Sequence, residues 1–249
     1  MKQEIKVTTI PGNSILTVLE GKAPAQPDPK SYEFAGDITA PGQYLSKAKA
    51  LGHHDGQPAV VQVNYGNFAP TPSRGLVAPS LTLIINHGTS ITTKIVGQLR
   101  LNPDLERLQV NTGARFTQQQ LRQAVRLCRA NFADLSQYDA LLTGIEKLNV
   151  TATSTLKNEQ DQRGNRSAAF SKQVQSSLIQ SFLLMLRPFT NSRLHKDVQI
   201  DLCFDHSDSG LSFWLESLEL PGILAKESET IIDHEIGEHL AELPLLVEV

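Results

Sequence analysis

Histidines and carboxylates crowd one stretch near the C-terminus, His234-Glu235-Ile236-Gly237-Glu238-His239. Zinc hydrolysis built on a helix needs two histidines four residues apart on one face, with a glutamate beside the first as base. Here Glu238 stands four residues after His234, and His239 lies one residue further on. Five residues turn an α-helix by about 500°, which leaves His239 about 140° from His234. The inverted form of the motif needs the same histidine spacing and also fails. His234 and Glu238 still share a face. Together with His53, His54 and Asp55 of a glycine-flanked segment they define one candidate, a metal-dependent hydrolase. A solvated acidic helix face at 234–239 and an ordinary loop at 53–56 explain the same residues more simply. Asp205-His206-Ser207-Asp208-Ser209-Gly210 lacks the alternating oxygen ligands and closing glutamate of a Ca²⁺ loop, and reads as a hairpin turn.

Nucleophile and phosphate-cradling motifs are missing. No Gly-x-Ser-x-Gly elbow, Walker loop or Gly-x-Gly-x-x-Gly occurs. No cofactor is implied, and nothing argues positively for an enzyme. Two basic features remain. Arg122, Arg126 and Arg129 recur at i, i+4 and i+7, with Arg115 just before them. Guanidinium groups spaced in this way can fork onto phosphate oxygens. The second feature is Asp161-Gln162-Arg163-Gly164-Asn165-Arg166, a polar tip whose Arg163 and Arg166 could clamp a nucleic-acid backbone. The candidate nucleic-acid-binding residues are therefore Arg115, Arg122, Arg126, Arg129, Arg163 and Arg166. Aromatic residues are sparse, with one Trp, four Tyr and nine Phe, so base-stacking platforms are not evident.

These residues need elements to hold them. Thr117 is a good N-cap for a helix over 117–132, in which Leu121, Val125, Cys128 and Phe132 form an apolar stripe opposite the arginines. A second helix is expected at 136–147. A β-hairpin is expected over 2–20 around Pro11-Gly12-Asn13, followed by a proline-rich linker over 21–30. A short strand near 32–34 precedes a helix over 37–51, capped at Thr39, with Tyr44, Leu45, Ala48 and Leu51 on one face. Strands at 59–64, 81–86, 91–101 and 108–111 make a first meander. Strands at 150–156 and 168–174 flank the polar tip, and a second meander runs through 182–186, 198–204 and 211–220. The last helix spans 227–243, and 245–249 reads as an edge strand. The expected fold is α+β: two largely antiparallel β-meanders, each followed by helices. In domain terms the expectation is a hairpin and linker over 1–30, a first α+β layer over 31–149 and a second over 150–249, or one continuous domain.

Charge is unevenly spread along the 249 residues. From Asp197 onward, 13 acidic residues face Lys226 alone, a charge of −12; the first 196 residues carry 22 basic and 13 acidic residues, or +9, and the whole chain has −3. Such asymmetry suits a nucleic-acid surface, an acidic decoy or pairing between copies, unless the two regions neutralise each other within the fold. No run of about 18 apolar residues is present to cross a bilayer, and residues 1–6 lack the apolar core of a secretory signal. Cys128 and Cys203, the two cysteines, sit in apolar patterns as expected of free thiols in a reducing compartment. A cytoplasmic setting follows as the expectation.

Phe116-Thr117 opening a helix that ends in Arg129-Ala130-Asn131-Phe132-Ala133-Asp134, the Asp161-Gln162-Arg163-Gly164-Asn165 turn and the late Phe213-Trp214-Leu215-Glu216-Ser217 strand occur together. This combination resembles an uncharacterised family encoded by bacteriophages and prophages, over most of residues 30–249. The resemblance implies a context, a phage-derived protein made in the host cytoplasm for DNA metabolism or interference with host defence, and no catalytic residues. The expected function is thus a non-enzymatic accessory protein that binds nucleic acid. The alternative is an anti-defence inhibitor that binds a host protein through its acidic C-terminal region. Self-association into a homo-oligomer is also expected, through the opposed charges and the edge strand at 245–249.

Overall fold

The computed structural model describes residues 4–10, 13–19, 30–51, 58–68, 77–86, 91–158, 180–207 and 210–247. The architecture is α+β. Strands β1 (Glu4–Ile10) and β2 (Asn13–Leu19) form an antiparallel hairpin, in register from Glu4 with Leu19 to Ile10 with Asn13. The main sheet contains β3 (Lys30–Asp37), β4 (Ala59–Asn64), β5 (Ser80–Asn86) and β6 (Ile91–Gln98), joined at one edge by β10 (Leu245–Val247). Period-two alternation buries Val61 and Val63 of β4, Leu81, Leu83 and Ile85 of β5, and Thr93 and Ile95 of β6 on one face.

The strand order is β10-β4-β5-β6-β3, and the sheet is mixed. The hairpin-connected strands β4, β5 and β6 run antiparallel, whereas β3 lies parallel to β6 and β10 parallel to β4. This corrects the largely antiparallel expectation for the first sheet. Helix α1 (Ala40–Ala50) separates β3 from β4, and a helical crossover returns the chain in the same direction. Two reversals then leave β6 aligned with β4, so β3 can only join it in parallel.

Helix α1 starts after Thr39, with Pro41 in its first turn, as expected, but its buried residues are Pro41, Gly42 and Leu45. Tyr44 and Leu51 are exposed, which corrects the expected apolar face. The helix follows its neighbours: Gly42 lies so close to His239 that a Cβ there would stand 2.8 Å from the histidine Cβ.

The expected strand at 108–111 is absent. Asn102 accepts from the Asp104 amide at 2.8 Å and caps helix α2 (Pro103–Leu108), after which Gln109 (φ 48°) and Asn111 (φ 61°) turn the chain through left-handed conformations. Helices α3 (Gln118–Leu127) and α4 (Leu135–Asn158) follow, with a 3₁₀ turn at Arg129–Asn131 between them. Helix α4 takes in residues 150–156, also expected as a strand. The threonines there look β-like, yet no Pro interrupts the helix begun at Leu135, and extending a formed helix is easier than nucleating a new element. The expected strand at 168–174 lies outside the described residues.

A second sheet holds β7 (Ser181–Leu186), β8 (Lys196–Ser207) and β9 (Gly210–Glu216), all antiparallel. Helix α5 (Leu220–Glu235) starts seven residues before the expected 227, with Pro221 in its first turn, and runs into a π-turn at Ile236–Leu240. One buried cluster joins both sheets and the helices, from Ile38 to Leu240. Isolated bridges stitch the seam: Leu101 with Phe189, Phe116 with Phe213 and Phe132 with Leu184.

Candidate nucleic-acid interface

Helix α3 is capped at its start. Thr117 Oγ1 accepts from the Gln120 amide at 3.3 Å while Gln120 Oε1 accepts from the Thr117 amide at 2.9 Å, a reciprocal capping box. Leu121, Val125 and Cys128 are fully buried and Phe132 nearly so, which puts the stripe read from the sequence in the core. Phe132 stacks on Phe182 at 5.4 Å and meets Tyr138 edge-on at 5.3 Å.

The arginines opposite this stripe differ in their surroundings. Arg122 is half-buried and forms an ion pair with Glu146 of α4, and its Nε is enclosed without a hydrogen-bond partner. Arg126 is exposed and has no ion pair among the described residues. Arg129 is exposed, with its guanidinium 5.6 Å above the Tyr138 ring. Arg115 lies across the strand bridge that joins Phe116 to Phe213, with its guanidinium carbon over the Trp214 ring, 3.5 Å from the centroid. The Trp214 indole in turn donates to Glu216 at 2.7 Å. Arg163 and Arg166 lie outside the described residues. The structure therefore places Arg122 and Arg126 on α3, Arg129 in the 3₁₀ turn that follows where the sequence predicted continuing helix, and Arg115 apart, against the second sheet.

Acidic groups dominate the outward face of that sheet. On β8, Val198, Ile200 and Leu202 point into the core, so Asp197, Asp201 and Asp205 alternate outward, and Asp201 lies in register with Glu216 of β9. Cys203 sits among them beside Trp214. Partial burial pushes its thiol pKa up, Glu216 and Asp201 add to the rise, and Arg115 opposes it. Cys128 is raised further, to about 11, first by burial and then by the charge of Asp104, against the stabilising contact of Arg107.

The metal candidates do not converge. His53, His54 and Asp55 lie outside the described residues. Arg193 Nη2 lies 2.5 Å from His234 Nε2, which sets a cationic group beside that ring. Among the described residues no three His, Cys, Asp or Glu side chains gather as a metal site. No helix among them is long and apolar enough to cross a membrane.

Some features escaped the sequence reading. The Arg115–Trp214 stack joins residues far apart in the chain, and Glu146 gave no local signal that it would face Arg122. A cavity of about 480 Å³ opens in the seam between Leu99, Leu105, Phe189, Leu220 and Leu224, with the two left-handed residues Gln109 and Asn111 on its lining. No family model, curated protein or solved structure matches the chain. The resemblance to a phage-encoded family therefore rests on its motifs alone.

Proposed function

We propose that the protein binds nucleic acid without catalysing a reaction, and that its phosphate contacts come from the exposed side of α3. The exposed Arg126, free of an ion pair among the described residues and on a capped helix that Arg129 follows in a 3₁₀ turn, carries this reading. Arg122 contributes less, because Glu146 already neutralises it. Each phosphate neutralised by a side chain releases counterions, so binding should weaken steeply with salt. Arg126→Gln with Arg129→Gln keeps helix propensity and removes two charges. In gel-shift and anisotropy titrations near 0.1 M salt, affinity for duplex DNA should fall at least about tenfold, and the slope of log affinity against log salt should shrink by about two. Unchanged DNA binding by the folded double variant, or no binding by the wild type at low salt, defeats the proposal.

A second reading draws on the acidic outward face of β8 and β9, where Asp197, Asp205 and Glu216 are exposed. On this reading the face occupies a basic groove of a host protein, as an anti-defence inhibitor would. Replacing Asp197, Asp205 and Glu216 by their amides should then abolish association with a purified basic partner, while the arginine double variant leaves it intact.

A further inference from the structure

Helix α3 opens on Gln118, Gln119 and Gln120 and carries a further glutamine at Gln123. Two of them are engaged within the protein. Gln118 is half-buried and its Nε2 donates to the Ile145 carbonyl of α4. Gln120 closes the capping box on Thr117. Gln119 and Gln123 are exposed and make no hydrogen bond among the described residues.

Their direction follows from a helical turn of about 100° per residue. With the buried Leu121 set at zero, the buried Val125 and Ala124 fall at about 40° and 300°, so the buried arc is centred near zero. Gln119 falls at about 160° and Gln123 at about 200°, either side of the line that points straight out. Arg126 at about 140° and Arg122 at about 100° form one flank. Leu127 continues the row of Gln119 and Gln123 at the next fourth position and is 58% exposed.

A helix that enters a major groove presents side chains in this order. The B-form groove is about 12 Å wide and admits one helix. Residues at the centre of the outward face meet base edges, and flanking cations meet the phosphates of the groove wall. A glutamine amide holds a donor and an acceptor, which together fit N7 and N6 of adenine. An exposed leucine in the same row fits the thymine methyl group, the apolar substituent of that groove. Charge selects the same partner: from Arg107 to Ala133 the chain has five arginines and no Asp or Glu. The major groove of A-form RNA is too deep and narrow for side chains to read.

Resting on the nucleic-acid reading of α3, we propose that this helix enters the major groove of duplex DNA and reads its sequence, Gln119 and Gln123 each pairing with an adenine. Residues four apart on a helix are separated by about 6 Å, close to two base steps of about 3.4 Å. The two adenines therefore stand about two base pairs apart.

The full chain is used to select from a library of random-sequence DNA duplexes at low salt. Selected duplexes should share two adenines about two base pairs apart, and anisotropy titration should give them at least about tenfold preference over random duplex. Gln119→Ala should erase the preference at one adenine and Gln123→Ala at the other, with random-duplex binding and the salt slope unchanged. Arg126→Gln with Arg129→Gln should instead weaken selected and random duplexes alike. In the wild type, 7-deazaadenine at a preferred position keeps the base pair and removes the N7 acceptor. It should cost as much as the matching alanine variant, and nothing further in that variant. Random duplex bound with no shared sequence, a preference that survives both alanine variants, or 7-deazaadenine without effect on the wild type each overturns base reading and leaves the phosphate contacts standing. Equal affinity for duplex RNA overturns it too. No binding to any duplex overturns both readings.

Discussion

Asn111 is predicted to be among the most sensitive polar positions of the protein. Its Nδ2 donates to the Ser217 carbonyl and its Oδ1 accepts from the Ser217 amide, both at 2.8 Å, while its own amide donates to Leu215 at 3.0 Å. These bonds clamp the end of α2 to the end of β9. Asn111→Ala removes both side-chain bonds, at about 1 kcal/mol each. Ser217 is only 3% exposed, so water cannot readily replace them. Alanine keeps the Cβ that crowds the backbone at φ 61° but lacks the polar side chain with which asparagine tolerates the left-handed region, which adds about 1 kcal/mol. The loss should total about 3 kcal/mol. Asn111→Gly loses the same bonds but escapes that crowding, partly offset by its greater freedom when unfolded, and should cost about 2 kcal/mol. Urea titration followed by circular dichroism measures both, and the alanine variant should melt about 6–12 °C lower. A loss below about 1 kcal/mol for alanine, or a greater loss for glycine, would refute the reasoning.

Three further outcomes follow from the packing and the titrating groups. A Cβ at Gly97 would stand 2.8 Å from the Pro41 ring and 2.9 Å from the Asp37 and Ile38 carbonyls, so Gly97→Ala should cost about 1–3 kcal/mol by urea titration. Cys128 should resist a thiol reagent at pH 8 until the chain unfolds, being fully buried with a pKa of about 11. That raised value means the folded state holds its proton longer than the unfolded one does. Cys128 therefore lowers stability as pH rises from about 9 towards 11, by at most about 1.4 kcal/mol per pH unit, and Cys128→Ala should flatten that part of the profile.

Much of the secondary structure was legible from local pattern. The alternation in 59–64 marked β4 with its ends, the apolar run 182–186 marked β7 to within one residue, and Thr117 with its apolar stripe marked the start of α3 and its buried side, though the helix ends at Leu127 and not at 132. The errors lie where local pattern is ambiguous. Residues 108–111 are apolar enough for a strand, but Asn102 and Pro103 had already started a helix whose exit needs left-handed residues. The threonines at 151–155 carry β propensity that the continuing helix α4 overrides. Such outcomes depend on the neighbouring element and not on the window itself.

Residue spacing alone determined that Leu121 and Val125 face the core from α3, with Cys128 buried at its end, and that Arg122 and Arg126 lie away from them. A helix repeats every 3.6 residues whatever it packs against, so periodicity suffices for that. The expected helix to 132 stops at Leu127, so Arg129 and Phe132 are placed by the 3₁₀ turn and the extended residue after it. Only the tertiary structure decided which arginine is free. Glu146 reaches Arg122 from α4, Tyr138 lies beneath Arg129, and Trp214 of β9 holds Arg115, while Arg126 stays open among the described residues. It likewise made β3 and β10 parallel to their neighbours. Pairing partners and ion pairs are contacts between segments far apart in the chain, and a linear pattern carries no term for the distance between them.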